Sequence, residues 1–197
     1  MKIHPDPALR SDDVAALPRR DFLKVGAGFS LALTFAGGLG TLGGCSPTAK
    51  APEQGYAFLQ AGDVALFSAL APAVVDELAK LDAAERKART ADLLHNLDTT
   101  CNALGMASKA ELRKLLDLLA VGPLRYVLTG VGAWNEASIE SLQAFLTRWR
   151  SSRFETLTAG VNVLVKLTAS SYYVMPVAWP ASGYPGPLAN VFAIINA

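Results

Sequence analysis

Few side chains in this sequence could perform chemistry, and they do not form a set. His95 and Asp98 lie three apart, one helical turn if the segment is a helix, so they present the simplest candidate acid–base pair. A catalytic base or a metal centre needs further partners, and no second histidine or cysteine stands at ligand spacing from His95. A histidine satisfied on a helix surface is the plainer reading. No Gly-x-Ser-x-Gly elbow, phosphate-binding loop or Cys-x-x-Cys-His haem site occurs. Asp76, Glu77, Asp82 and Glu85 cluster near expected helix ends, where a solvated face accounts for them. Arg148, Arg150 and Arg153 could meet a partner's carboxylates or be ordinary surface charge. The expectation is a chain with no catalytic residue, metal or cofactor site of its own.

The cysteines lead to the organisation of the chain. There are two, Cys45 and Cys101. Cys45 closes Leu42-Gly43-Gly44-Cys45, which resembles a bacterial lipobox, whose cysteine sulfur is acylated. Upstream stands Arg19-Arg20-Asp21-Phe22-Leu23-Lys24, then an uncharged stretch from Val25 to Gly44 that contains seven glycines. Each glycine weakens a helix by roughly 1 kcal/mol relative to alanine, so the stretch is a poor permanent span and a better transient export signal. Arg19, Arg20, Phe22, Leu23 and Lys24 resemble a twin-arginine (Tat) motif, the route for proteins already folded. A retained membrane anchor is the alternative, because about 20 apolar residues can cross a bilayer. Gly26-Ala27-Gly28 is not a dinucleotide loop, since Leu31 stands where the third glycine belongs. The reading is therefore a signal peptide over 1–44, a flexible tether over 45–58 and a helical domain over 59–197. The product would sit on the periplasmic face of a bacterial membrane, held by lipid on Cys45. With Cys45 acylated, Cys101 has no intrachain partner and reads as a small buried hydrophobe.

Residues 45–197 carry 13 Lys+Arg and 13 Asp+Glu, so no basic surface invites nucleic acid. Their aliphatic and alanine-rich composition and 3.6-residue periodicity predict an all-α fold, a small irregular bundle of about five helices. The first is expected from Gly62 to Leu81, kinked or broken by Pro72. The second runs from Ala83 to Leu104 and stops at Gly105. The third opens on a Ser108…Glu111 capping box and stops at Gly122-Pro123. Residues 123–137 read as loop, although Leu124, Tyr126, Val127, Leu128 and Trp134 must pack on something. The fourth helix starts near Ser138 and the fifth covers Phe154 to Val174. An aromatic, Pro- and Gly-rich tail follows, with Tyr172 and Tyr173 at its entrance and Trp179 and Tyr184 within it. Aromatic rings with polar tips favour interfaces, so Trp149, Tyr172, Tyr173, Trp179 and Tyr184 are candidate partner contacts. The alternative is a tail folded over its own helices as a lid.

Phe145-Leu-Thr-Arg-Trp149-Arg-Ser-Ser-Arg-Phe154, Leu167-Thr-Ala-Ser-Ser-Tyr172-Tyr173-Val-Met-Pro176, Trp179 and Gly183-Tyr184-Pro185-Gly186-Pro187 resemble the C-terminal half of the gluconate 2-dehydrogenase subunit 3 family. The resemblance covers about residues 56–187. It implies a non-catalytic small subunit that escorts, stabilises and tethers a large periplasmic FAD-dependent dehydrogenase of the glucose-methanol-choline type, acting on a sugar or alcohol. FAD would sit on that partner, and a cytochrome c subunit is a further candidate in the assembly. Cys45 departs from many such subunits. A free-standing periplasmic lipoprotein that binds a small ligand or another envelope protein is the alternative, and an enzyme using His95 with Asp98 is a third reading.

Overall fold

A computed structural model describes residues 51–186. The twin-arginine motif (Arg19, Arg20, Phe22, Leu23, Lys24), Cys45 and the last eleven positions lie outside the described residues. Within them the protein is all-α, with eight α-helices and no strand. They are α1 (Ala61–Val74), α2 (Asp76–Lys80), α3 (Ala83–Ala103), α4 (Met106–Ala120), α5 (Gly122–Thr129), α6 (Ile139–Arg150), α7 (Glu155–Tyr173) and α8 (Trp179–Ser182). Short 3-10 turns at Trp134–Glu136 and Pro176–Ala178 link the later helices. No described helix is long and apolar enough to cross a membrane.

Helix α1 is the hub. It is apolar around most of its circumference, and such a helix must be covered on every side. It packs against α2, α3, α4, α6, α7 and the Trp134 turn. Leu66, Phe67, Leu70 and Ala71 are buried in it, and α3 and α7 close the other side with Leu93, Leu97, Val161 and Leu164. The second large packing is α6 on α7, where Phe145 meets Trp149 edge to face at 4.9 Å. Trp134 adds a third ring 6.3 Å from Phe145.

The expected first helix is two helices, and the break falls at Val75 rather than at Pro72. Pro72 gives up the bond to the Ser68 carbonyl and crowds it, yet the helix continues through Val74. The chain then turns extended, and Asp76 and Glu77 open α2 where carboxylates favour the helix N-terminus. Arg86 closes the far end of α2: its Nε donates to the Leu78 carbonyl at 2.9 Å and its Nη2 to Leu81 at 2.7 Å. Gly105 is not a left-handed helix stop. Its φ is −63° and it caps the N-terminus of α4, so Ser108 lies inside the first turn and the expected capping box does not open the helix.

The stretch read as loop contains α5. Gly122-Pro123 looks like a stop, but proline in the first turn loses no hydrogen bond and starts a helix. Helix α5 ends on Gly130, whose φ of +74° satisfies the last turn through a 2.7 Å bond from its N–H to the Tyr126 carbonyl. Helix α6 begins where expected, with the Ser138 hydroxyl accepting from the Ser141 N–H at 3.2 Å.

Candidate functional site

The flexible tether ends earlier than its composition implies. From Glu53 onward the chain forms a strap that is tied down, closed by a 2.8 Å bond from the Glu53 N–H to the Leu59 carbonyl. The anchor is Asp98. It sits in the apolar stripe of α3 with Leu94, Leu97 and Cys101, and its carboxylate accepts three strap N–H groups. Ala57 donates to Oδ2 at 2.9 Å; Phe58 and Leu59 donate to Oδ1 at 2.8 and 2.9 Å. Burial pushes the Asp98 carboxyl up, but the three backbone donors and nearby His95 outweigh it and hold it below the ordinary carboxylate range. His95 is exposed and stacks on the Tyr56 ring at 5.1 Å. The pair singled out for acid–base chemistry therefore acts on the strap: one member binds its backbone, the other its aromatic ring.

A second carboxylate completes the clamp. Asp63, buried at the start of α1, accepts the Gln60 N–H at 2.8 Å. It also takes both Nη groups of Arg113 on α4, each at 2.7 Å, in a bidentate pair. Arg113 Nε reaches Asp117 at 2.9 Å, and its guanidinium lies over Phe58 at 5.6 Å. Burial would lower the Arg113 pKa, but the bonds and charge of Asp63 raise it. Cys101, one turn beyond Asp98, is buried, and its thiol is pushed up to about 12 by burial, then by the charges of Asp98 and Asp63. It is a protonated, unreactive side chain at neutral pH. Asp63 and Arg113 did not stand out in the sequence. The available signal was register: Arg113 lies between Leu112 and Leu115, and Asp63 three residues after Gln60 at a helix start.

The candidate contact residues separate into two groups. Trp149 is 1% exposed. Its Nε1–H donates to the Leu128 carbonyl at 2.9 Å, and a Cβ at Gly160 would stand 3.0 Å from its ring. Tyr172 is 4% exposed, edge-on to Tyr173 at 5.3 Å. Both are core residues here rather than contact residues, because helical periodicity turns positions 149 and 172 inward with Phe145 and Thr168. Tyr173 and Tyr184 are exposed, and Trp179 is half-buried.

The tail is a hook rather than loose chain. Ala178 and Met175 are buried, while Val174, Val177 and Tyr184 are exposed. Trp179 and Tyr184 meet edge to face at 5.3 Å. Gly183 turns the chain with φ +71°, and Gly186, at φ +90°, lies so close to Trp179 that an added Cβ would be 3.0 Å from the ring. The Tyr173 hydroxyl donates to Glu77 at 3.2 Å, linking the hook's base to α2. The inner side of the hook thus folds back, and its outer side offers rings and valines to solvent.

A groove of about 390 Å³ opens between α1 and α3, lined by Ser68, Ala83, Arg86, Lys87, Thr90, Ala91 and Leu94. Arg86 is committed to the carbonyls of α2. Comparison with protein-family models, with curated proteins and with solved structures finds no match to this chain.

Proposed function

We propose that this chain is an exported, non-catalytic small subunit that escorts, stabilises and membrane-tethers a larger FAD-dependent sugar or alcohol dehydrogenase. Its leader sends the folded pair outward, and acylated Cys45 holds it at the periplasmic face of the membrane. The observation that carries this reading is the hook. Val174, Val177 and Tyr184 are exposed on a segment held in shape by the Trp179–Tyr184 contact and by Gly186. Rigid aromatic surface of this kind loses little entropy on binding. The resemblance of residues 145–187 to the gluconate 2-dehydrogenase small subunit names the class of partner, and a stable pairing would bury about 800 Å² on each side.

The deciding experiment is isolation of the tagged chain from membranes. A larger, yellow, flavin-containing protein is expected to accompany it in fixed proportion. A lone, stable monomer recovered under mild extraction would overturn the proposal. A reading frame for a large flavoprotein without a leader, adjacent to this one, would add support.

A further inference from the structure

The groove between α1 and α3 carries polar groups whose bonding capacity the fold leaves unused. Ala83, Lys87, Thr90, Ala91 and Leu94 recur at helical spacing on one face of α3, and Ser68 lines the groove from α1. Thr90 is only 9% exposed. Thr99, Thr100, Thr129 and Thr168 each bond their hydroxyl to the carbonyl four residues back, at 2.8 to 3.0 Å. The Thr90 hydroxyl makes no such bond and has no partner among the described residues, yet its oxygen is not sealed from solvent. What it meets is the groove it lines. The Ser68 hydroxyl likewise has no partner among the described residues.

Two cations share the groove. An arginine has five N–H donors. Arg86 uses three: Nε on the Leu78 carbonyl, and Nη2 on the carbonyls of Ala79 and Leu81. These bonds hold the guanidinium in place, none goes to a carboxylate, and both Nη1 donors are left over. Lys87 is exposed and makes no ion pair among the described residues. The acids nearest in sequence are engaged elsewhere. Asp82 accepts the Glu85 N–H at 2.8 Å, and Glu85 pairs with Arg89 at 3.6 Å.

We propose that this groove binds a small organic carboxylate. The carboxylate is an acceptor only, which suits a site whose spare groups are arginine and lysine N–H and two hydroxyls. Arg86 Nη1 and Lys87 supply the charge, and the Thr90 and Ser68 hydroxyls supply neutral donors. Ala91 and Leu94 give the ligand's body an apolar wall. Inorganic phosphate would meet the cations and leave that wall uncovered. The volume of about 390 Å³ falls within the range of small-molecule sites and admits a ring or a short chain. The site requires no flavoprotein partner, so it stands apart from the escort reading.

The test titrates the purified chain with hexanoate, phenylacetate and 4-phenylbutyrate, followed by calorimetry and by backbone amide shifts. At least one of these carboxylates is expected to bind saturably, one to one, with shifts concentrated at Ser68 and residues 86–94. The matching uncharged amides and inorganic phosphate are each expected to bind at least about tenfold more weakly. K87M is expected to weaken carboxylate binding by about fivefold or more, and T90V by about threefold or more. Circular dichroism melts check that both variants fold; Arg86 is left in place because it closes α2. No saturable binding of any of the three carboxylates below about 10 mM would overturn the proposal. Amides that bind as tightly as the acids would overturn it too. So would parent-like affinity in both folded variants. If a variant melts early, the shift map of the parent chain decides, and shifts centred away from Ser68 and residues 86–94 defeat the placement.

Discussion

The two ends of the described chain are fastened by opposite chemistry. The strap at residues 53–60 is held by buried charge: Asp98 takes three backbone N–H groups, and Asp63 takes Gln60 and both arms of Arg113. The hook at residues 174–186 is held by ring contacts, two left-handed glycines and the burial of Ala178 and Met175. Directional bonds to buried carboxylates fix one geometry and turn a segment's polar groups inward. Ring-on-ring packing fixes a shape and leaves an apolar outer face. The strap therefore serves the fold, and the hook has surface to give away. On this comparison the residues that look most reactive, His95 and Asp98, serve the strap, and the residues that look merely bulky form the candidate contact.

The sharpest way to break the comparison is to remove one partner of the buried pair. R113A leaves the buried Asp63 carboxyl group without its bidentate partner, which is expected to cost about 3–5 kcal/mol in a denaturant melt. Replacing Asp63 and Arg113 together by apolar residues of similar size is expected to recover much of that loss. A small loss in the single variant would mean that Asp63 is solvated and the strap loosely held.

D98A comes next. Three strap N–H groups lose a charged acceptor, and about 2–3 kcal/mol is expected to go with them. Hydrogen exchange at residues 57–59 is expected to rise ahead of global unfolding. Alkylation of Cys101, slow in the parent because the thiol lies at about 12, is expected to accelerate. Unchanged exchange at 57–59 would show that the strap has other moorings.

The pH dependence has a definite sign. The Asp98 pKa is lower in the folded chain than in the unfolded one, so its contribution is fully present above the unfolded carboxylate value of about 3.9. It is lost as pH falls through the depressed folded value. D98N, which cannot ionise, is expected to remove that part of the acid-side loss. Parallel stability–pH curves for the two proteins below about pH 4 would contradict it.

Smaller still is G160A. The new methyl would stand 3.0 Å from the Trp149 ring, and overpacking there is expected to cost about 1–3 kcal/mol, less any gain in helix propensity. The smallest stability effect belongs to Y184S, at about 0.5 kcal/mol or less, since its ring is 48% exposed. Combined with V177S, it is nevertheless expected to reduce recovery of the flavoprotein. Full recovery with both replaced would move the contact off the hook.

Helix content and most buried faces were legible in the chain because 3.6-residue periodicity is a local signal. Leu93, Leu94, Leu97 and Cys101 on α3, and Leu142, Phe145 and Leu146 on α6, lie where the pattern puts them. Helix starts were less legible. Gly105, Ser108 and Gly122-Pro123 each fit both a stop and a start, and the neighbouring turn decides between them. The clamp was not legible at all: Asp98 and the strap are about forty positions apart, and Asp63 and Arg113 fifty.

By itself, the sequence determined an all-α chain, the positions of its principal helices and an aromatic tail, since spacing along the chain sets which side chains share a helix face. Only the tertiary structure decided which rings lie inside, with Trp149 and Tyr172 buried and Tyr173 and Tyr184 outside. It alone turned a histidine and an aspartate into fasteners for the strap. The physical reason is that burial and hydrogen-bond partnership depend on what another part of the chain brings to the same place, and no periodicity within one segment records that.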